Sequence, residues 1–237
     1  MSPVTAPTRE PATPEDVPRT SEESGPLALA GVFARVERGE WPPPDGRLRV
    51  VAQPSPRSAA VVAFTAHSVV AADVDADWVR SRLDPDDLAA PLRAPFLAAL
   101  ADRLARGVGA VDMVALASPL PGPPPVALSE WTDSEHPRVR RAHRYRDEVR
   151  VWGTEGGMVL VGRGLAGRWE VAYEVDPTHR GRGLGRLLAS AARHLVPSHA
   201  HGVWAQVSPG NAASVRSLLA AGYRPVGSEA LLVATPG

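Results

Sequence analysis

The amino-acid sequence predicts an α+β chain in two parts, and three observations predict it. Short runs rich in Val and Ala, with strand character, are interleaved with segments whose leucines recur at helical spacing. Pro119 to Pro125 holds five prolines and one glycine in seven residues and divides the chain near its middle. In the second part a loop of arginines and glycines joins a strand directly to a well-patterned helix.

Each element follows from its own residues. Residues 1–26, rich in Pro, Ser, Thr and Glu, are expected to form a disordered tail. Leu27 to Arg38 reads as a short amphipathic helix halted by Gly39 and the prolines at 42–44. Segments 47–52 and 59–74 are rich in Val and Ala, with strands at Ala59 to Phe64 and Val69 to Val74. Helices follow at Asp77 to Leu83 and Ala94 to Arg106, the latter from Leu97, Leu100 and Leu104, with Gly107 as its stop. Val111 to Ala117 is a buried-strand candidate. This N-terminal α/β region, 27–118, carries no nameable motif: companion domain, second copy of the later fold and dimerisation element all stay open.

Past the linker at 119–125, Val126 to Trp131 reads as a strand and His136 to Arg146 as a helix. Glu148 to Trp152 and Met158 to Arg163 read as strands joined by a turn at Glu155, Gly156 and Gly157. Trp169 to Val175 is a strand. Leu184 to Val196 is a helix with Leu184, Leu187, Leu188, Ala191, Ala192 and Leu195 on one face. Val203 to Val207 is a strand, Ala212 to Ala221 a helix closed by Gly222, and Leu231 to Val233 a last strand.

Composition excludes several kinds of chemistry. The 237 residues contain no cysteine, which removes disulfides, thiolate nucleophiles and cysteine zinc sites. All 26 basic residues are arginine, so Schiff-base and P-loop lysines are absent. Formal net charge is zero, which argues against a general nucleic-acid binder. No apolar run reaches the ~20 residues of a membrane span, and the N-terminus lacks the basic-then-apolar order of a signal peptide. A cytoplasmic protein without membrane partners is the expectation.

The informative segment runs from Trp169 to Gly185. A strand ends, Asp176-Pro177 turns the chain, and Arg180-Gly181-Arg182-Gly183-Leu184-Gly185 opens a helix. The first turn of a helix has unpaired N–H groups and partial positive charge. Glycines let a phosphate approach those amides, and Arg180, Arg182 and Arg186 add charge-assisted bonds. The spacing fits neither the dinucleotide fingerprint nor the P-loop.

The pattern Arg180-x-x-Gly183-x-Gly185 resembles the acetyl-CoA pyrophosphate signature of the GNAT superfamily of N-acetyltransferases. A second likeness lies downstream, in the strand Val203 to Val207, the helix headed by Asn211, and Gly222-Tyr223 after it. The resemblance covers about residues 126–235 and implies a mixed, mostly antiparallel sheet flanked by helices. It implies acetyl-CoA as co-substrate and direct attack of a primary amine on the thioester. It also implies contacts to the pantetheine arm from backbone near Val175 and from Asn211. A strand glutamate often serves the family as base, which points to Glu170 first and Glu174 second. The sequence departs from the family at Leu218, where many members place a tyrosine that protonates the leaving thiolate; Tyr223 is expected to pack behind the helix, and Ser208 or a water remain as acids. A catalytically silent acyl-CoA sensor is the alternative function.

Other clusters have plainer readings. Arg138, Arg140, Arg141, Arg144, Arg146 and Arg150 crowd one segment, chiefly as a solvated helix, with an acidic acceptor as the leading functional reading. His194, His199 and His201 lack metal-ligand spacing and read as a cationic helix end. Trp131, Trp152, Trp169 and Trp204 read as core, with Trp152 a candidate wall of an acceptor pocket. A homodimer is a further expectation.

Overall fold

Strands whose side chains are apolar on both faces need cover on both faces, and the central strands of this chain are of that kind. The computed structural model describes residues 28–132 and 135–234; the tail expected at 1–26 lies outside them. Six α-helices occur among the described residues: α1 (Leu29–Glu37), α2 (Ala76–Arg80), α3 (Ala94–Leu104), α4 (Pro137–Tyr145), α5 (Leu184–Leu195) and α6 (Ala212–Ala220). The strands are β1 (Leu48–Val51), β2 (Ser58–Phe64), β3 (His67–Ala71), β4 (Gly107–Ala117), β5 (Ser129–Glu130), β6 (Asp147–Thr154), β7 (Gly157–Arg163), β8 (Trp169–Val175), β9 (Val203–Val207) and β10 (Arg224–Val233). None of these helices is long and apolar enough to cross a membrane.

All ten strands join one sheet in the order β1-β3-β2-β10-β4-β9-β8-β7-β6-β5. Only β1 with β3 and β8 with β9 are parallel; every other neighbouring pair is antiparallel. The chain is therefore a mixed, mostly antiparallel sheet flanked by helices, as the sequence predicts. The sheet runs without interruption across the proline-rich segment. β4 precedes that segment, yet it lies between β9 and β10, which follow it. The segment itself is held against α5, since Leu120 N–H donates to the Arg193 carbonyl and Arg193 Nε to the Ser118 carbonyl, both at 2.9 Å.

Alternation along the strands sorts the helices between the two faces. Ala60 and Val62 of β2, Val114 and Leu116 of β4 and Trp204 of β9 meet Leu29, Val32, Phe33 and Val36 of α1. On the same face, Val139 and Ala142 of α4 cover Val151 and Leu160. The intervening residues face the other way. Ala59, Val61, Ala230 and Leu232 meet α3, while Ala115, Val171 and Ala205 meet α5 and α6. Each fully buried Leu, Val or Phe in these layers contributes about 1.5–3 kcal/mol.

Most elements shift by a few residues, as with β3 at His67–Ala71 and α2 at Ala76–Arg80, and four differ for a physical reason. β10 is ten residues long where only Leu231 to Val233 was expected. Pro225 and Glu229 hide it. The missing N–H of Pro225 is tolerated beside a bulge between Pro225 and Gly227, and the Glu229 charge is met by a guanidinium. β4 begins at Gly107, so Gly107 is strand and not a helix stop; α3 ends instead on Ala105, in the left-handed region at φ +50°. The expected Val126 to Trp131 strand is reduced to Ser129–Glu130, and Trp131 lies outside it.

Ala105 occupies a conformation that costs an L-residue about 1–2 kcal/mol and glycine nothing. Ala105→Gly is expected to raise stability by about 1 kcal/mol, the strain relief being partly offset by the added freedom of the unfolded chain. Urea denaturation monitored by tryptophan fluorescence measures it.

Candidate active site

Two parallel strands that share only a few pairs leave a wedge where they part. β8 and β9 pair at Glu170↔Trp204 and Val171↔Ala205 and nowhere else, although β8 runs on to Val175 and β9 to Val207. Each is held by its outer neighbour over the parted stretch: β7 follows β8 to Gly157↔Val175, and β4 follows β9 to Met113↔Val207. The inner edge of β8 beyond Val171 therefore keeps backbone donors and acceptors with no strand opposite.

The mouth of this wedge is built by the arginine-glycine loop. Gly181 and Gly183 both take left-handed conformations, at φ +73° and +86°. Gly183 is the N-cap of α5 and supplies no capping side chain, and no acidic residue stands in the first turn. The Leu184 and Gly185 amides of that turn have no helical carbonyl to bond, while Arg186 N–H donates to the Gly183 carbonyl at 3.1 Å, so the free amides and the helix dipole face outward together. A Cβ at Gly181 or Gly183 would meet nothing within 4 Å, so the space over the loop is open. At Gly185 a Cβ would come to 3.0 Å from Ser217 Oγ, and glycine there lets α5 and α6 approach. A hollow of about 400–600 Å³ is typical of ligand sites. Here one of about 580 Å³ is lined by Tyr173, Arg180, Gly183, Arg186, Asn211 and Arg216, among others. Four arginines and one glutamate, Glu174, are the charged side chains of the lining. The donor set, the open glycine cradle and the charge fit a polyphosphate.

Most residues expected at this site are brought together. Gly181, Leu184, Gly185 and Arg186 line the hollow with Arg180 and Gly183; Arg182 is exposed and does not. Arg180 Nε donates to the Val175 carbonyl at 3.1 Å, so this carbonyl is engaged within the chain. Asn211 heads α6, its side chain accepting from Ser214 N–H at 3.2 Å. Leu218 is buried in the core between α6 and the sheet. Tyr223 is buried in that same core, where burial pushes its hydroxyl well above the ordinary phenol range, in keeping with a packing role. Tyr173 and Arg216 also line the hollow but stand outside the glycine motif, which is why sequence reading passes over them, and Arg138 of the arginine-rich segment lines it with them.

The two candidate bases are both ion-paired. Glu170 is 4% exposed. One carboxylate oxygen accepts from Leu165 N–H at 3.1 Å and Arg168 Nε at 2.9 Å; the other accepts from Arg146 Nε at 3.0 Å. Burial alone would raise its pKa, but the charges of Arg168 and Arg146 outweigh this and hold it below the carboxylate range. Arg168 Nη2 also donates to both carboxylate oxygens of Glu229 of β10, each at 2.8 Å. Glu174, on the same face of β8, bonds Arg138 of α4, and this hydrogen bond lowers its pKa. A carboxylate held in its charged form by arginine is a poor proton acceptor, so the geometry disfavours both as bases, Glu170 more strongly.

The arginine-rich segment is tied inward more than expected. Arg138 bonds Glu174, Arg146 bonds Glu170 and Arg150 bonds Glu130. Arg144 donates to the Ala234 carbonyl at 2.9 Å, and Arg141 and Arg144 lie over the Tyr145 ring. Beside Glu174 a second hollow of about 440 Å³ is walled by Trp131 and His136, with Glu130, Glu155 and Asp176 around it. Trp152 belongs to the core and does not line this hollow, whereas Trp131, expected in the core, does. The histidines act separately: His194 Nδ1 meets the Gly122 carbonyl at 3.1 Å, and His199 stands edge-on to Trp169.

Residues 121–223, less than half of the chain, match the model of the Acetyltransferase (GNAT) family. No curated protein matches the sequence. Among solved structures, a GNAT-family acetyltransferase from Colwellia psychrerythraea aligns at 8% identity and TM-score 0.38, over 59% of this chain and 61% of that one. A GCN5-related N-acetyltransferase from Kribbella flavida aligns at 18% identity and TM-score 0.39, over 60% of this chain and 65% of that one. A GNAT-family protein from Novosphingobium aromaticivorans, described as a putative acetyltransferase, aligns at 17% identity and TM-score 0.39, over 55% and 66%. The alignments span less than two thirds of each of these structures.

The Glu170 pairs give a pH signature. Its depressed folded-state pKa stabilises the fold above the unfolded carboxylate value of about 4.3, and that contribution is lost as pH falls through the folded value. Glu170→Gln is therefore expected to cost about 1–3 kcal/mol near neutrality, with the difference from wild type shrinking below about pH 4. Denaturant titrations from pH 7 to pH 3 measure the trend.

Proposed function

We propose, from the premise that residues 121–223 are a domain of the GNAT acetyltransferase family, that this chain transfers an acyl group, most simply acetyl, from acyl-CoA to a primary amine of a small molecule or polypeptide. The observation that carries the reading is the wedge between β8 and β9 opening directly onto an uncapped, arginine-flanked helix N-terminus. A polyphosphate at the mouth and an extended arm in the wedge are the two halves of one ligand. Acyl-CoA is such a ligand, and as a thioester it supplies an already activated acyl group.

The residues divide the work by position. The amides of α5's first turn with Arg180 and Arg186 would hold the pyrophosphate, and Gly181, Gly183 and Gly185 keep Cβ atoms out of its way. The free edge of β8 between Ala172 and Glu174 would pair with the amides of the arm as another strand does. A backbone N–H on that edge, aimed at the thioester carbonyl, favours charge developing on its oxygen. Asn211 narrows the mouth from the α6 side. The wedge leads to the face of the sheet covered by α4, where Glu174 and the hollow walled by Trp131 lie. An acceptor reaching the thioester from that face approaches opposite to α5.

A second reading has specific support. Leu218 is buried in the core, and Glu170 and Glu174 are both committed to arginines. These features favour a protein that binds acyl-CoA without turning it over.

One experiment tests the site and a second separates the readings. Acetyl-CoA is expected to bind the wild type with micromolar affinity by calorimetry, and Gly183→Glu, which puts a carboxylate against the phosphates at a φ of +86°, is expected to abolish binding. Absence of binding by the wild type removes the acyl-CoA reading altogether. Thiol release from acetyl-CoA in the presence of primary amines then distinguishes an enzyme from a silent binder.

A further inference from the structure

We infer that Asp112, carried into the site on β4 from the N-terminal half, is the carboxylate that takes the proton from the acceptor amine. This rests on the acyl-transfer reading above. Its starting point is the position of β4 between β9 and β10. Val114 and Leu116 of β4 pack on the face covered by α1, and Asp112 shares that face by the two-residue period. Val114 is paired with Gln206, the first residue of β9 beyond the last β8–β9 pair, so Asp112 lies diagonal to Gln206. Diagonal neighbours on adjacent strands are about 7–8 Å apart, and β9 alone separates β4 from the wedge. That diagonal reaches β9, and the wedge lies one more strand spacing, about 4.8 Å, beyond it, so the proton passes from the amine to Asp112 through more than one water.

The pairing of the other carboxylates on this face points to the same residue. Glu170 bonds Arg168 and Arg146, Glu174 bonds Arg138, and Glu229, opposite Asp112 on β10, is held by both contacts to Arg168. Asp112 has no hydrogen bond or ion pair among the described residues and is half-buried. The charged groups around it come from two elements. Arg141 of α4 favours its ionised form, and Glu229 of β10 opposes it. Arg144 on the same helix is engaged with the Ala234 carbonyl and the Tyr145 ring, and β9 presents the uncharged Gln206. Burial dominates and raises the Asp112 carboxyl above its ordinary range, which suits a group that must accept a proton near neutrality.

The step balances without another reagent. An acceptor arriving as an ammonium gives one proton to the Asp112 carboxylate. Its freed lone pair forms the C–N bond to the acyl carbon as the C–S bond breaks. The second proton lost by nitrogen goes to the departing thiolate, and Asp112 returns its proton to water. The products are the amide, free CoA thiol and one proton.

The test compares acceptors that do and do not need deprotonation. Wild type and Asp112→Asn are given acetyl-CoA with benzylamine, which is an ammonium at neutral pH, and with hydroxylamine, which is already neutral. Thiol release is followed from pH 6 to pH 9, and acetyl-CoA binding is measured by calorimetry in both proteins. The inference expects unchanged binding and a loss of about 100-fold or more with benzylamine. It also expects hydroxylamine turnover within about threefold of wild type, and Asp112→Glu restoring part of the benzylamine rate. The benzylamine deficit of Asp112→Asn is expected to narrow as pH rises. Equal losses with both acceptors make Asp112 a structural residue and overturn the inference, as does an undiminished benzylamine rate. A wild type that binds acetyl-CoA and acylates neither amine overturns it too, whereas a wild type that fails to bind acetyl-CoA removes the reading on which it rests.

Discussion

A guanidinium that is 4% exposed must be neutralised where it lies, and the place of Arg168 shapes much of the centre of this protein. It stands just before β8 and meets Glu170 on that strand. It then crosses β9 and β4 to both carboxylate oxygens of Glu229 on β10. Its charge also lies over the rings of Phe33 on α1 and Trp204 on β9. Removing either end would leave a charge in the interior without compensation. The pairs therefore constrain where β10 can sit relative to β8, and β4 must lie between.

That constraint has a consequence for chemistry. Where arginine charges outweigh burial a carboxylate is kept ionised, as at Glu170, whereas at Glu229 burial prevails over Arg168 and raises the carboxyl. Glu170 has the sequence position of a base and the surroundings of a counter-ion. The same arithmetic applies to Glu174 with Arg138, less strongly because that pair is more exposed. Asp112 differs from both in lacking a cationic hydrogen-bond partner. It also belongs to a part of the chain that a reading centred on the glycine loop sets aside.

The side of the wedge beside α5 is organised by backbone more than by side chains. The wedge exists because β7 and β4 hold β8 and β9 apart over their last residues, and α5 begins where β8 has turned away. Glycine at 181 and 183 is required by left-handed backbone, and at 185 by the approach of Ser217. Arginine adds charge to a geometry that the amides already define. The side of the sheet covered by α4 is organised in the opposite way, by side chains from α4, β4 and β10 that converge from distant segments.

This contrast explains what could be read without the structure. The strand Trp169–Val175, the loop and the helix Leu184–Leu195 are contiguous, so their apolar period, their glycines and their arginines all lie in one window of sequence. A helix start with free amides, open glycines and flanking arginines is a local property, and the sequence by itself determined it. Composition likewise removed thiol and lysine chemistry without reference to any fold. The tertiary structure alone decided which carboxylates are free. Glu170 is separated by 24 residues from Arg146, and Arg168 by 61 from Glu229. It also decided that β4 enters between β9 and β10, which no local pattern encodes. The physical reason is that a helix terminus carries its own field, whereas the proton affinity of a buried carboxylate is set by whichever charges the fold brings beside it.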